Sequence, residues 1–579
     1  MGGETTSIED TQKLPSQKGR GRGWGKNLTK KQKIMSKLSP IEPIKTASDG
    51  LRGTLKESLL DNFTGAIRQN DEALIKFHGM YQQDDRDRRE ERAEKKLENL
   101  YSFMIRLRVP AGVISAEQWL ATHEISEQYG TGTLKITTRQ TLQLHGLLKH
   151  QLRPTIQDFA LAKLDAIAAC GDVNRNVVCS SHPQVSELHQ EIYDYADKIS
   201  TLLLPKTQSY YEIWVDGEKI YDRVSEIDPL YQDRYLPRKF KIAIAIPPSN
   251  DVDVFANDIG LIAIIENNQL KGFNIAVGGG LSNTHGNPNT YSRIATLIGF
   301  TDSEEKTLKA VYEILTVQRD FGNRSDRKLA RLKYTIDTMG LENFKTELEN
   351  RIGFALLPAQ PYRFTERNDR FGWLENHQNL SFYTLFVEHG VVKPYQKELL
   401  FEVAKLGISD FRFTCNQNLI LGNIATENKQ KIVELLAKYG IEEAASPLRK
   451  SSMACVALPT CPLALAEAQR YLPDLVSKIE PLTKKYHLEN DEIIIRMTGC
   501  PNGCARPYLA EIAFVGTAPN EYNLMLGGDR LGTRLNKIYK KQVKELEILA
   551  EVDFLFGEYV AKKQENETFG DFTNRVFMN

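Results

Sequence analysis

Four cysteines in two pairs constrain this chain more than any other feature. They read CVALPTC (Cys455, Cys461) and GCPNGC (Cys500, Cys504), while Cys170, Cys179 and Cys415 are scattered. An odd total of seven in 579 residues fits poorly with a disulfide framework. Between the pairs lie 38 residues, enough for a helix (ALAEAQRYLPDLVSKIEPL) and a strand (EIIIRM) that returns the chain. Two loops can then deliver four thiolates to one centre. A cubane iron–sulfur cluster needs one sulfur per iron, which suits such a set; soft thiolates also suit zinc. Structural zinc sites usually build on Cys-x2-Cys knuckles, and neither pair has that form, so spacing favours the cluster and leaves zinc, or no metal, open. Pro501 and Gly503 predict a tight turn that aims backbone N–H groups at the centre. Such N–H groups bond to cluster sulfurs and raise the reduction potential.

The rest of the chain predicts a large α+β (mixed α/β) protein of several domains. Strand-like KIAIAIPP (241–248) and amphipathic KQKIVELLAKYG (429–440) represent its two kinds of block. A formal net charge of zero argues against a general nucleic-acid binder. No apolar run reaches the ~18 residues of a membrane span, and the N-terminus lacks a secretory pattern, so a cytoplasmic protein is expected. Residues 11–40 hold nine Lys or Arg and no Asp or Glu, which reads as a solvated arm or a docking arm for an acidic partner. LKITTRQTLQLHG (134–146) also resembles FRFTCNQNLILGN (411–423), each a strand, a Thr-x-x-Gln turn and a second strand. A true repeat implies two pseudo-symmetric halves about a central site.

SMACVALPTCPLALAEAQRYLP and RMTGCPNGCARPYLAEIAFVG, with FHGMYQQDDRD, TTRQTLQLHG, NRNVVCSS, YLPRKFK, VGGGLS, QRDFGNR, NQNLI and FGDF, resemble the sirohaem and iron–sulfur sulfite and nitrite reductases from about 50 to 575. The resemblance is strongest to the haem-carrying component of assimilatory, NADPH-dependent sulfite reductases. It implies six-electron reduction of sulfite to hydrogen sulfide at a sirohaem coupled to a [4Fe–4S] cluster. Cys455, Cys461, Cys500 and Cys504 would hold the cluster, with Cys504 bridging to the haem iron. Arg106, Arg175, Lys239 and Lys241 match the sulfite-binding quartet; the two lysines, two apart, share one face of an extended strand. Arg139, Gln143, His145, Gly278, Gly279, Gly280 and Asn502 match haem-binding positions. Lys135 stands where relatives often carry Arg, and Arg331 where Lys is common, which puts two carboxylate contacts in doubt.

No G-x-G-x-x-G pattern opens a helix here, so the chain cannot take electrons from NADPH alone. The resemblance implies a separate flavoprotein (alpha) subunit carrying FAD and FMN, in a hetero-oligomer, with ferredoxin as the alternative donor. It also implies three lobes built from two repeats: 102–168 with 369–441 as a shared ferredoxin-like domain, 169–368 as the first cofactor-binding half, and 442–579 as the second. A basic arm over 1–60 and a charged helical segment over 61–101 precede them. A ferredoxin-dependent sulfite or nitrite reductase is the nearest alternative. A zinc-ribbon or RNA-binding protein using the cysteines structurally is the one from another class.

Overall fold

A computed structural model describes residues 38–206, 213–215, 218–221, 227–441 and 445–578. Among them are four five-stranded sheets, in two related pairs.

The first pair exchanges strands. One sheet runs, in spatial order, Met80–Asp84, Tyr101–Arg106, Leu142–Leu147, Leu134–Ile136 and Val391–Val392. The other runs Gly372–Glu375, Ser381–Leu385, Leu419–Ile424, Asp410–Phe413 and Val113–Ile114. The last strand of each therefore comes from the other repeat, so neither sheet is complete without its counterpart. The Thr-x-x-Gln turns match in detail: Thr137 N donates to Thr141 O (2.9 Å) and Thr414 N to Asn418 O (3.0 Å). Gln140 and Gln417 both take left-handed backbone conformations, with φ of 51° and 71°. Helices Ala116–Tyr129 and Pro394–Leu406 cover the pair; Ser115 and Gln118 cap the first reciprocally, and Pro394 opens the second. Between the layers Trp119 stacks on Phe411 at 4.9 Å within a core of Leu, Ile and Phe.

The second pair has its own shared topology. Val178–Cys179, Ile242–Ala245 and Ile259–Glu266 run parallel, followed by antiparallel Gln269–Val277 and Thr296–Thr301. Ser452–Ala454, Ile495–Thr498 and Ile512–Ala518 likewise run parallel, then Glu521–Leu526 and Lys537–Val543 antiparallel. The inner parallel strands are buried on both faces, which explains their unbroken apolar runs. The register repeats as well. The Lys241 backbone N–H donates to Asp258 and that of Ile494 to Glu511, both at 2.9 Å. Ser180 N donates to Ile244 O and Cys455 N to Met497 O. Cys455 thus stands where the first half has Ser180, and Cys504 where it has Asp251.

The basic arm read over 1–60 lies mostly outside the described residues; its last part is packed. Ser39 N donates to Arg324 O, and buried Lys45 bonds Glu42 and the Leu236 carbonyl. The charged segment forms an edge strand (Met80–Asp84) before its short helix Arg89–Glu94. No described helix is long and apolar enough to cross a membrane.

Candidate active site

A small cavity opens beside the turn Asn502–Arg506, where loops from three of the four sheets converge. Its wall is built from the Thr138–Arg139 turn, Lys239 and Lys241, the 252–257 loop, Leu281 and Ser282, Arg331, and the turn Asn502–Arg506. Five of these residues are cationic and none is a carboxylate. Such a lining calls for an anion, because positive charges gathered away from water are costly without a counter-charge.

Lys239 and Lys241 flank Phe240, whose ring is in the core, so alternation turns both amines into the cavity. Burial, then the Arg238 and Arg331 guanidiniums, push Lys239 down to about 7. Burial and the neighbouring Lys239, Arg139 and Arg331 hold Lys241 well below the usual lysine range. Arg331 is committed: Nε and Nη2 grip Asp258 at 3.1 and 2.7 Å. Arg139 donates to Asn257 Oδ1 (2.6 Å) and Ile242 O (2.9 Å), leaving buried Nε without an acceptor among the described residues.

The other two members of the expected quartet do not line the cavity. Arg106 and Arg175 meet around Tyr81 and Cys170 instead: Arg106 Nη1 reaches Cys170 Sγ at 3.3 Å, and Arg175 Nε donates to Ala169 O at 2.7 Å. Arg175 still adds to the positive potential at Lys239. Gln143, with its amide oxygen turned toward Arg106, accepts from its Nε (2.9 Å) and Nη2. His145 Nδ1 meets Gln83 Oε1 at 3.2 Å; burial, Lys135 and Arg106 lower its pKa to about 3, so the ring stays neutral. Lys135 donates to His389 O (2.9 Å) and to Gln469 beside the first cysteine pair. Both positions that depart from the pattern, Lys135 and Arg331, thus have protein partners.

The glycine run 278–280 is there for approach. A Cβ on Gly279 would lie 2.2 Å from Phe255 O and 2.4 Å from Asn257 O. Lys333, beneath the loop, donates to the carbonyls of Gly280 and Ser282 at 3.0 Å and of Tyr291.

The four thiols face one another. Burial and then Cys504 raise the thiol pKa of Cys455, of Cys461 (to about 11) and of Cys500. Thiols that resist ionising singly ionise together only around a cationic centre that displaces their protons. Among the described residues no three Cys, His, Asp or Glu converge on a point that would hold one ion. Four cysteines close enough to perturb one another suit a cluster, which takes one sulfur per iron. Backbone N–H groups of Gly499, of Leu463 and Ala464, and of Asn502 point at the sulfurs of Cys455, Cys461 and Cys500 respectively. Asn502 Nδ2 adds a contact to Cys500 Sγ at 3.5 Å. Gly503, at φ +66°, makes the turn, and Thr138 Oγ1 holds the Cys504 carbonyl at 3.2 Å. The donor set and the cationic cavity therefore fit an iron–sulfur cluster next to an anionic cofactor.

Four contributors escaped the sequence reading. Arg86, inside the quoted DDRD run, clamps the first cysteine loop by donating to the carbonyls of Cys461 (3.2 Å) and Ala464 (2.8 Å). Tyr81 and Cys170 hold the two arginines, and Arg506 joins the cavity wall. All but Cys170 sit within quoted motifs, yet nothing in a single sequence marks which residue of a motif turns inward.

The nitrite and sulphite reductase 4Fe-4S domain model matches residues 195–356, which is the half without the cysteine quartet. The nitrite/sulfite reductase ferredoxin-like half-domain model matches 95–162 and 375–439, the two strand-exchanging repeats. A Leptospira biflexa protein named sulfite reductase [NADPH] hemoprotein beta-component is 57% identical over 542 residues, 92% of this chain and 98% of its own length. A Bacillus subtilis protein of the same name is 51% identical over 545 residues, covering 93% and 95%. The Mycobacterium tuberculosis NirA protein shares the fold at a TM-score of 0.76 and 24% identity, over 93% of this chain and 96% of its own. Identity above one half over more than nine-tenths of the chain, with both family models matched, places this chain in the nitrite and sulphite reductase family.

Proposed function

We propose that this chain is the haem-bearing component of an assimilatory sulfite reductase, which reduces sulfite to hydrogen sulfide with six electrons. The observation that carries the reading is Cys504. Among the described residues it alone belongs both to the thiol quartet and to the wall of the cationic cavity. Cys455, Cys461, Cys500 and Cys504 would hold a [4Fe–4S] cluster, and the cavity wall that Cys504 joins would hold a sirohaem. When bound, that pair supplies the electron storage and the open iron site at which sulfur–oxygen bonds are broken.

The chain's own residues do the rest. Lys239 and Lys241 bind the sulfite oxygens and stabilise negative charge that grows as each oxygen leaves. Lys239, with its pKa near 7, can hold a proton for the departing oxygen at neutral pH and recover it from solvent. Arg106 and Arg175 reinforce the positive potential, and Tyr81 and Cys170 fix their positions. Asn502 and Arg139 line the wall, the glycine run leads into it at Leu281, and Gln143 and His145 lie on the strand Leu142–Leu147 that follows Arg139.

The relatives' name, hemoprotein beta-component of an NADPH enzyme, supports a partner component on the electron path from NADPH; we propose a flavoprotein alpha subunit, in a hetero-oligomer in the cytoplasm. Sheet membership supports a shared ferredoxin-like lobe over 102–168 and 369–441, with 169–368 and 442–579 as the two halves. An absorption and EPR spectrum of the isolated chain, with and without sulfite, tests the reading. A haem band that shifts with sulfite, coupled to a cluster signal, is expected; a colourless zinc protein would overturn it.

A further inference from the structure

Behind the cavity wall, and reaching it through Arg506, lies a buried charge cluster. Asp253, wholly buried, meets three guanidiniums: Arg367 Nε at 2.5 Å, Arg496 Nη1 at 2.8 Å, and Arg506 Nε. Arg496 and Arg367 are each 2% exposed. Three cations against one anion leave an excess of positive charge. The further carboxyl in reach, Glu511, is engaged by the backbone N–H groups of Ile494 and Gly570.

The position of this cluster is as telling as its charge. Asp253 and Arg506 stand at the same point of the two related halves, each six residues before the third parallel strand (Ile259–Glu266 and Ile512–Ala518). Each has left-handed backbone (φ 49° and 54°) and each precedes a single 3-10 turn, Val254–Ala256 and Pro507–Leu509. Their ion pair therefore spans the pseudo-two-fold axis. Two non-glycine residues in that conformation cost energy that the surroundings must offset.

From this point bonds run to every part of the site. Arg506 Nη2 donates to Cys415 O (3.0 Å) and Asn416 Oδ1 (3.1 Å), and Nη1 approaches Thr138 O (3.4 Å), so it touches the turns of both ferredoxin-like repeats. Arg367 Nη1 holds Leu509 O at 2.8 Å, and Arg496 Nη1 approaches Arg506 O at 3.2 Å. Asn257 donates to the Asp253 carbonyl and accepts from Arg139. Gly532 leaves the room: a Cβ there would sit 2.7 Å from Asp253 Oδ1.

We propose that Asp253, Arg367, Arg496 and Arg506 form a positioning hub that locks the Cys500–Cys504 turn to the first half. Its excess positive charge raises the reduction potential of the group that Cys504 holds. The electrostatic part rests on the function proposed above. A buried cation near a redox centre favours the more negative, reduced state, so removing one lowers the potential.

The test uses the holoenzyme with a redox titration followed by absorption and EPR. Arg496→Met removes one cation and keeps the carboxylate. It should retain full iron content and lower the midpoint enough to shift the one-electron equilibrium at least tenfold, which is 59 mV. Arg496→Lys restores the charge and should recover most of that shift. Lys478→Met, a surface charge paired with Glu545, should move the equilibrium less than twofold. Asp253→Asn leaves three guanidiniums without a counter-charge and should lose cofactor and thermal stability together; if it does not fold, the Arg496 pair still decides. A fully loaded Arg496→Met protein with an unchanged midpoint would overturn the electrostatic role. Asp253→Asn with wild-type loading and melting would overturn the positioning role. Wild-type protein lacking both haem and cluster signals would instead defeat the functional reading.

Discussion

The two halves around residues 178–301 and 452–543 share one frame and divide the chemistry between them. Where the first half presents Lys239 and Lys241 to the cavity, the second has Glu492 and Ile494. Glu492 pairs with Arg530 at the surface, and Ile494 is in the core. Where the second half presents Cys455 and Cys504, the first has Ser180 and Asp251, which hold local backbone N–H groups. The ferredoxin-like repeats show the same division. The cross-strand row Arg106, Gln143 and Lys135 of the first becomes Thr384, Ile420 and Arg412 in the second. There Arg412 is tied to Asp410 at 3.0 and 2.8 Å. Duplication thus fixes the geometry twice, and the two copies carry different groups at equivalent positions.

Matched substitutions at equivalent positions can break this comparison. Cys504→Ser should have the largest effect, removing colour and lowering turnover by more than about a thousandfold, because it takes a sulfur from both groups at once. Asp251→Asn, at the equivalent place, should keep both colour and iron. Absorption and iron analysis of the two proteins decide it; equal loss of colour would mean that both halves hold the cofactors.

Lysine substitutions come next. Lys239→Ala and Lys241→Ala should each retain colour and lose roughly a hundred- to a thousandfold in sulfite turnover, the usual scale for removing a charge-stabilising donor. Glu492→Ala should change turnover less than about twofold, since it removes only exposed contacts, an ion pair with Arg530 and a hydrogen bond from Asn368. A smaller effect follows from pH. With a pKa lowered to about 7, Lys239 is charged below neutrality and loses its charge as pH rises. Sulfite KM should then climb by up to about tenfold per unit above pH 7. A bound anion favours the charged amine, so the limb in kcat should lie at higher pH than that in kcat/KM. Lys239→Arg, charged throughout, should flatten the profile relative to wild type; parallel profiles would assign the titration to another group.

Much of this was legible in the sequence because it depends on local rules. The cysteine spacing, the glycine in the Cys500–Cys504 turn, and the Thr-x-x-Gln repeat each appear in the structure where their residues predicted. Two apolar strands flanking a polar turn cannot hide a duplication. Strand exchange between the repeats was not legible, since Val391–Val392 and Val113–Ile114 are two-residue strands with no pattern of their own. The quartet of cations was half legible: alternation about Phe240 places two lysines, but whether Arg106 faces a cavity or Cys170 depends on packing across 64 residues. Asp253 was invisible for the same reason. Its three partners lie 114, 243 and 253 positions away, and an Asp in SNDVDVF reads as a turn residue.

The smallest predicted difference is the most symmetrical. Gly279 and Gly528 occupy matching places in the two halves: a Cβ on the first would lie 2.4 Å from Asn257 O, and one on the second 2.3 Å from Ala510 O. Asn257 and Ala510 are themselves equivalent, each just before the acidic residue that caps its half, Asp258 or Glu511. Gly279→Ala and Gly528→Ala should therefore destabilise the protein by similar amounts, ~1–3 kcal/mol, as backbone is forced apart. Thermal melting reads that loss. The consequences should nevertheless part, because only the first glycine leads into the cavity wall at Leu281 and Ser282. Gly279→Ala should also disturb the haem band, while Gly528→Ala should leave it in place. If both substitutions move the band equally, the two halves share the cofactor's support more evenly than their side chains indicate.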